Sequence, residues 1–267
     1  MNQQSKVAVI GAGVMGEALI AALISYGVKP EFITISEKRD ERAAELIAKY
    51  SIKAAPLAAN VSSADAVLLV VKPQDMGSVL EEIKGAINPA AVVITFAAGK
   101  TISFISNGLG TGNPVVRVMP NTPTLVGAGM AAASMGAGVT DAQKGFVLGF
   151  LGATGKVIEV AEELQDAVTA TSGSGPAYFF AFVEAMVTGA KALGLSDADA
   201  TTLTVQTIVG AAKLLGESGK SATTLRENVT SPNGTTAAAL ASFGSSDLNS
   251  MVAKAMKAAR DRSQELA

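Results

Sequence analysis

The sequence predicts an α/β protein in which a parallel β-sheet with helices on both faces is followed by an all-helical C-terminal domain. Three observations predict it. Apolar, β-branched runs alternate with helix-patterned segments from Lys6 to Val160. The strand signal fades after Glu162, and long helical stretches occupy the rest of the chain. Between the first apolar run and the first helix lies a glycine-rich turn, Gly11-Ala12-Gly13-Val14-Met15-Gly16. A chain of 267 residues has room for two domains of ordinary size, expected as residues 1–162 and 163–267.

The elements follow in order. Lys6–Ile10 reads as a strand, and the glycine turn leads to a helix over Val14–Tyr26. A strand through Phe32–Ile35 and an amphipathic helix over Asp40–Tyr50 come next. Ala66–Val71 is an unbroken apolar run halted by Lys72-Pro73, the mark of a strand buried on both faces. Val92–Phe96 repeats this and ends in Ala97-Ala98-Gly99, while Pro114–Val118 is cut off by Pro120. Strand-like segments around Gly127–Ala133 and Lys156–Val160 enclose a helix over Asp141–Leu151. Helices are then expected over Glu163–Thr171, Pro176–Leu193, Asp197–Leu215, Ala222–Val229, Thr235–Phe243 and Asp247–Glu265. The Pro176–Leu193 helix is apolar around most of its circumference, so it needs burial against either the sheet domain or a second subunit.

Composition removes whole classes of chemistry. With no Cys there is no disulfide, thiolate nucleophile or Cys-ligated metal. With no His, the Ser-His-Asp triad, a His acid and the commonest zinc sites also disappear. No metal site is therefore expected, and catalysis falls to hydroxyls, carboxylates, Lys, backbone dipoles or a cofactor. A net charge of -2 without a basic run argues against nucleic acid as the partner. No uninterrupted apolar run reaches about 18 residues, which argues against a membrane span. The N-terminal apolar stretch is broken by Gly11, Gly13, Gly16 and Glu17, fitting a strand–turn–helix better than a secretory signal. The expectation is a soluble, cytoplasmic protein.

The glycine turn fits G-x-G-x-x-G in its proper setting, with a strand before it and a helix after it. There the glycines permit a tight turn, approach to a pyrophosphate and close helix–strand packing, so Gly11–Gly16 are expected to bind a dinucleotide on a Rossmann-like sheet. The end of the second strand carries a mixed message. Glu37 lies near the position where an acid accepts from the ribose hydroxyls of NAD. Ser36, Lys38 and Arg39 around it suit a 2′-phosphate instead. The reading favours NADPH, with NADH as the alternative. Val71-Lys72-Pro73, Ala97-Ala98 and Asn121, at the ends of later strands, are further candidate cofactor contacts, or else polar loops.

Two polar segments interrupt the helical half. Ser172-Gly173-Ser174-Gly175-Pro176 reads as a flexible break before a helix that Pro176 opens. Val229-Thr230-Ser231-Pro232-Asn233-Gly234-Thr235-Thr236 sets four hydroxyls around a turn just before Ala237-Ala238-Ala239-Leu240. Unpaired amides and the helix dipole favour an anion there, whereas ordinary capping by Ser and Thr is the plainer reading.

Taken together, G-A-G at Gly11–Gly13, V-K-P at Val71–Pro73, A-A-G at Ala97–Gly99, N-T-P at Asn121–Pro123, S-G-S-G-P-A-Y at Ser172–Tyr178 and the Val229–Thr236 turn resemble the pyrroline-5-carboxylate reductase family over almost the whole chain. The resemblance implies a Rossmann domain and a helical domain that interleaves with its mate in a homodimer, with decamers known in the family. It implies hydride transfer from NAD(P)H to the cyclic imine 1-pyrroline-5-carboxylate, giving proline. Ser231, Gly234, Thr235 and Thr236 match the family's substrate-carboxylate site, and Thr236 matches the group that hydrogen-bonds or protonates the imine nitrogen. The chain departs from the family pattern in two places. Asn233 stands where S-P-G-G is usual, and Lys220-Ser221-Ala222 where a His-Pro pair is common. A β-hydroxyacid dehydrogenase with Lys191 as proton donor, and a non-enzymatic dinucleotide sensor, are the competing readings.

Overall fold

The structure is a computed structural model and describes residues 1–266. Strand β1 (Val7–Ile10) leads into α1 (Val14–Tyr26), followed by β2 (Ile33–Ser36) and α2 (Asp40–Tyr50). Next come β3 (Lys53–Ala54), α3 (Leu57–Ser62), β4 (Ala66–Leu69), α4 (Met76–Ile83), β5 (Val92–Thr95), α5 (Ile102–Leu109) and β6 (Val115–Met119). The sheet is completed by β7 (Gly129–Met135) and β8 (Gly155–Glu159), with α6 (Asp141–Gly152) between them. After them run α7 (Gln165–Val168), α8 (Gly175–Ala192), α9 (Asp197–Glu217), α10 (Ala222–Asn228), α11 (Thr235–Ser245) and α12 (Leu248–Glu265). The chain divides into two compact units, one comprising Met1–Pro176 with the chain from Ala258, the other Ala177–Lys257.

The first unit contains a single eight-stranded sheet in the order β3-β2-β1-β4-β5-β6-β7-β8. Side chains alternate along β1: Val7 and Val9 enter the core beneath α1 with Leu19, Leu23, Phe146 and Phe150, while Ala8 and Ile10 enter the opposite one with Met76, Leu80 and Ile105. Burial on both faces is why these strands read as unbroken apolar runs. The sheet is not wholly parallel as expected, because β7 runs antiparallel to β6 while all other neighbours are parallel. Only the short segment Pro120–Ala128, with a 3-10 turn at Thr122–Val126, joins them. A parallel return would need a crossover of about a dozen residues or more.

Strand order reverses beside β1, which pairs with β2 on one side and β4 on the other. Such a switch point opens a crevice at the carboxyl ends of the strands, where open α/β sheets bind ligands. β4 stops at Leu69, two residues before the expected end, which leaves Val70 and Val71 at that crevice.

In the second unit, α9 and α11 and the parts of α8 and α12 that belong to it expose large apolar side chains. Phe179 is 65% and Phe180 63% exposed, with Leu203, Val209, Leu214 and Met251 more than half exposed. Phe182 and Phe243 meet at 6.4 Å between ring centres. Among the described residues, Ala200 is the only apolar side chain of this unit that is fully buried. No described helix is long and apolar enough to cross a membrane.

Candidate functional site

The glycine turn occupies the switch point. Gly11 has φ +87°, and a Cβ there would sit 2.9 Å from the Val70 carbonyl oxygen and 3.1 Å from Val71 Cγ1. Only glycine suits both the conformation and the space. A Cβ on Gly16 would collide with the Gly11 carbonyl, whereas one on Gly13 would meet nothing within 4 Å. Gly13 is also the N-cap of α1 and offers no side-chain cap, so the first amides of this helix have no side-chain acceptor there. An open, uncapped helix start behind a glycine turn fits a pyrophosphate.

The end of β2 is organised around Glu37, whose side chain is only 8% exposed. Its carboxylate accepts from the Ala12 amide at 2.9 Å and from Arg39 Nε at 2.9 Å. Burial works against its charge, but the hydrogen bonds from Arg39 and Ala12 prevail and hold the carboxyl below its ordinary range. Of the expected phosphate contacts, Arg39 is thus paired with Glu37. Ser36 donates to the Ala55 carbonyl at 2.9 Å and accepts from Asn60, and Lys38 stands exposed. Beneath the turn, Glu17 on α1 accepts from Arg42, from Lys49 at 2.8 Å and from Tyr50 at 3.1 Å. The hydrogen bonds of Lys49 and Arg42 bring the Glu17 carboxyl down to about 2. Arg42 also donates to the Ala12 carbonyl at 3.1 Å, which ties this cluster to the glycine turn.

Three later loops carry the remaining cofactor candidates. Val71 lies against Gly11, Lys72 is the N-cap of a 3-10 turn over Pro73–Asp75, and Ala97 is buried beside the half-buried Ala98. The Asn121 amide is committed within the protein: it accepts from Met130 N–H at 2.8 Å and donates to the Ser172 carbonyl at 3.1 Å. The expected break at Ser172–Pro176 narrows to a bend at Ser174, after which α8 opens at Gly175 with Pro176 in its first turn. Thr169–Gly173 form a π-helical turn that continues α7, closed by the Ser174 amide on the Thr169 carbonyl at 2.8 Å. Gly173 lies against the Met119 side chain, where a Cβ would fall 2.5 Å from the mobile terminal methyl, Cε. Wider winding at this place fits a functional turn, as π-turns often do.

In the second unit the polar turn links α10 to α11. Asn233 takes the left-handed conformation (φ 59°) that asparagine tolerates, and the Gly234 amide closes on the Ser231 carbonyl at 3.1 Å. Gly234 caps α11 without any side-chain hydrogen bond, so the plainer reading of a Ser/Thr-capped helix is set aside. The first helical bond is Ala238 N–H to the Gly234 carbonyl, leaving the Thr235, Thr236 and Ala237 amides ahead of the ladder. Ser231 Oγ packs against Gly234 so closely that a Cβ would collide with it.

Comparison with known proteins bears on the same segments. A family model described as pyrroline-5-carboxylate reductase dimerisation matches residues 162–266, and one described as NADP oxidoreductase, coenzyme F420-dependent, matches residues 6–99. A pyrroline-5-carboxylate reductase of Mycobacterium leprae is 38% identical, the alignment covering 100% of this chain and 98% of that protein. The chain belongs to the pyrroline-5-carboxylate reductase family. The enzyme of Corynebacterium melassecola is 41% identical, with 97% of this chain and 98% of that one covered. Among solved structures, a pyrroline-5-carboxylate reductase from Coxiella burnetii superposes with a TM-score of 0.90 at 35% identity, covering 99% of both chains. The Plasmodium falciparum pyrroline carboxylate reductase with NADP bound gives 0.90 at 28% identity, covering 100% of this chain and 99% of that one.

Family membership removes the dehydrogenase alternative, and its proton donor is otherwise engaged: Lys191 Nζ pairs with Asp197 at 2.6 Å on the surface. Sequence reading missed the Glu17–Arg42–Lys49 cluster and the buried Arg117. Their partners lie far apart in the chain, and neither carries a local motif.

Proposed function

We propose that this protein reduces the C=N bond of 1-pyrroline-5-carboxylate to give L-proline, using NAD(P)H, as the last step of proline biosynthesis. The observation that carries this reading is the full-length match to named reductases, together with the uncapped start of α11 in the Ser231–Thr236 turn. Gly11, Ala12, Gly13, Val14, Met15 and Gly16 hold the pyrophosphate, with Ser36, Lys38 and Arg39 at the adenosine end. Val71, Lys72, Pro73, Ala97, Ala98 and Asn121 line the remainder. When bound, the reduced nicotinamide supplies a hydride to the imine carbon.

The chain's own residues bind and orient. The Thr235 and Thr236 amides ahead of α11, with the Ser231 hydroxyl and the turn that Gly234 closes, hold the substrate carboxylate by hydrogen bonds and the helix dipole. Thr236 Oγ1 hydrogen-bonds the imine nitrogen or delivers the proton that balances the added hydride. Because an imine is readily protonated, a site without His or Cys is sufficient, and catalysis rests mainly on orientation.

NADPH is the proposed cofactor, with Lys38 and Arg39 meeting the 2′-phosphate; Glu37 favours NADH to the extent that it keeps Arg39 paired. Residues 1–162 form the dinucleotide-binding domain, and residues 163–267 the helical dimerisation and substrate-binding domain. The exposed faces of α8, α9 and α12 pack in a homodimer, and dimers assemble further into a decamer in the cytoplasm.

The test is the loss of NADPH and NADH absorbance on adding pyrroline-5-carboxylate, beside a panel of small hydroxyacids with the oxidised cofactors. Turnover with the imine alone is expected. Turnover with a hydroxyacid, or none with the imine, overturns the proposal.

A further inference from the structure

Strand β6 carries one charged residue, Arg117, which is 5% exposed. Its guanidinium donates to Asp166 at 3.1 Å and lies 3.6 Å from Glu162. Each acid passes the contact onward. Glu162 Oε1 accepts from the Ile102 amide at 2.7 Å, at the first residue of α5. Asp166 Oδ1 accepts from Ser263 Oγ at 2.8 Å, near the end of α12. Ser263 and Leu266 in turn press on Gly99, where an added Cβ would lie 2.8 Å from the Ser263 carbonyl oxygen and 2.7 Å from Leu266 Cβ. The two chains of contact converge on one segment, gripping the Ala97–Thr101 loop at Gly99 and at the first amide beyond it.

A buried cation between two acids is a poor way to gain stability, since an apolar side chain of similar size serves as well at lower desolvation cost. What such a pair supplies is direction. The planar guanidinium reaches both carboxylates at once in a fixed fork, which a lysine ammonium does not. We infer that Arg117 is a positioning residue for the Ala97–Thr101 loop and, through it, for the nicotinamide half of the bound dinucleotide. The inference rests on the proposed placement of Ala97 and Ala98 at the cofactor. The network's hydrogen bonds do not involve the glycine turn or Ser36–Arg39, so the adenosine half is independent of it.

That asymmetry supplies the test. Full-length protein, Arg117→Lys and Ser263→Ala are titrated with the intact reduced dinucleotide and with its adenosine half, 2′,5′-ADP (5′-AMP if NADH is preferred). Arg117→Lys is expected to weaken the intact cofactor about ten-fold, the scale of one hydrogen bond to a charged group. Ser263→Ala breaks one arm only and is expected to weaken it about three-fold. Affinity for the adenosine half stays within about two-fold in both, as for distant independent sites. Parallel loss of both ligands, or no loss of either, overturns the inference. Ser263→Ala decides the matter if Arg117→Lys fails to fold. Wild-type protein that binds both ligands yet leaves the imine unreduced refutes the proposed reaction instead, and the affinity ratios still judge Arg117.

Discussion

Replacing Glu17 with Gln removes the charge at the centre of the cluster that joins α1 to α2 beneath the glycine turn. The Glu17 side chain is 14% exposed and sits against Arg42, itself 16% exposed, with Lys49 and Tyr50 completing the cluster. Hydrogen bonds from Lys49 and Arg42 lower its carboxyl from 4.5 to about 2. A shift of that size sets a ceiling of about 3 kcal/mol on the stability the ionised form contributes. Lys49 reaches in from solvent and its share is screened, so a loss of about 1–2 kcal/mol is expected at pH 7. The folded pKa is depressed, so the contribution is complete above pH 4.5 and disappears as pH falls toward 2. The assay is urea unfolding of wild type and Glu17→Gln at a series of pH values. The gap between them should hold from pH 7 to pH 5 and then close steadily below pH 4.5. A gap that stays constant down to pH 3, or none at pH 7, would show that the Glu17 charge does not stabilise the fold.

Three further outcomes are expected. Thr236→Ala should lower kcat/KM about ten- to a hundred-fold with an unchanged melting temperature, the loss falling on kcat if the hydroxyl delivers the proton and on KM if it only binds. Glu37→Gln should free Arg39 and raise the ratio of NADPH to NADH efficiency about five-fold, while Lys38→Ala with Arg39→Ala should lower it by a similar factor; a ratio that moves in neither pair dismisses both side chains from cofactor choice. Phe179→Asp with Phe180→Asp, at positions 65% and 63% exposed in the single chain, should weaken the dimer at least about a hundred-fold in sedimentation equilibrium. Unaltered assembly would remove this face of α8 from the interface.

Much of the architecture was legible because local chemistry marks it. The helices Val14–Tyr26 and Asp40–Tyr50 begin and end where the sequence placed them, between glycine or polar starts and left-handed stops at Gly27 and Ser51. The buried strands announced themselves as apolar runs. What escaped depends on partners distant in the chain. Nothing within Gly129–Met135 records that it runs against β6, because direction is set by the short connection and not by the strand's residues. β3 and α3 are too short to show a period, while α4 and α5 carry helical spacing, Met76-Val79-Leu80-Ile83 in α4, over only eight residues each. The stretch Ser172–Pro176 looked like a break because serine and glycine favour turns, yet contacts with Asn121 and Met119 wind its start into a π-turn.

The candidate site divides the same way. Gly11–Gly16 and the Ser231–Thr236 turn were readable because backbone geometry there demands particular residues. Ser36 and Arg39 were readable as residue types, but their hydrogen bonds to Ala55 and Glu37 were not. Arg117 was invisible, since a single charge inside Val115–Met119 gives no hint of acids some fifty positions away.

The most direct test follows isotope from cofactor to product. NADPH carrying deuterium at the transferable C4 position is incubated with pyrroline-5-carboxylate and the protein, and the product is examined by NMR. The account predicts L-proline with one deuterium on the ring carbon that was the imine carbon, formed in step with cofactor oxidation. Proline without deuterium there, or cofactor oxidised without proline, would contradict it.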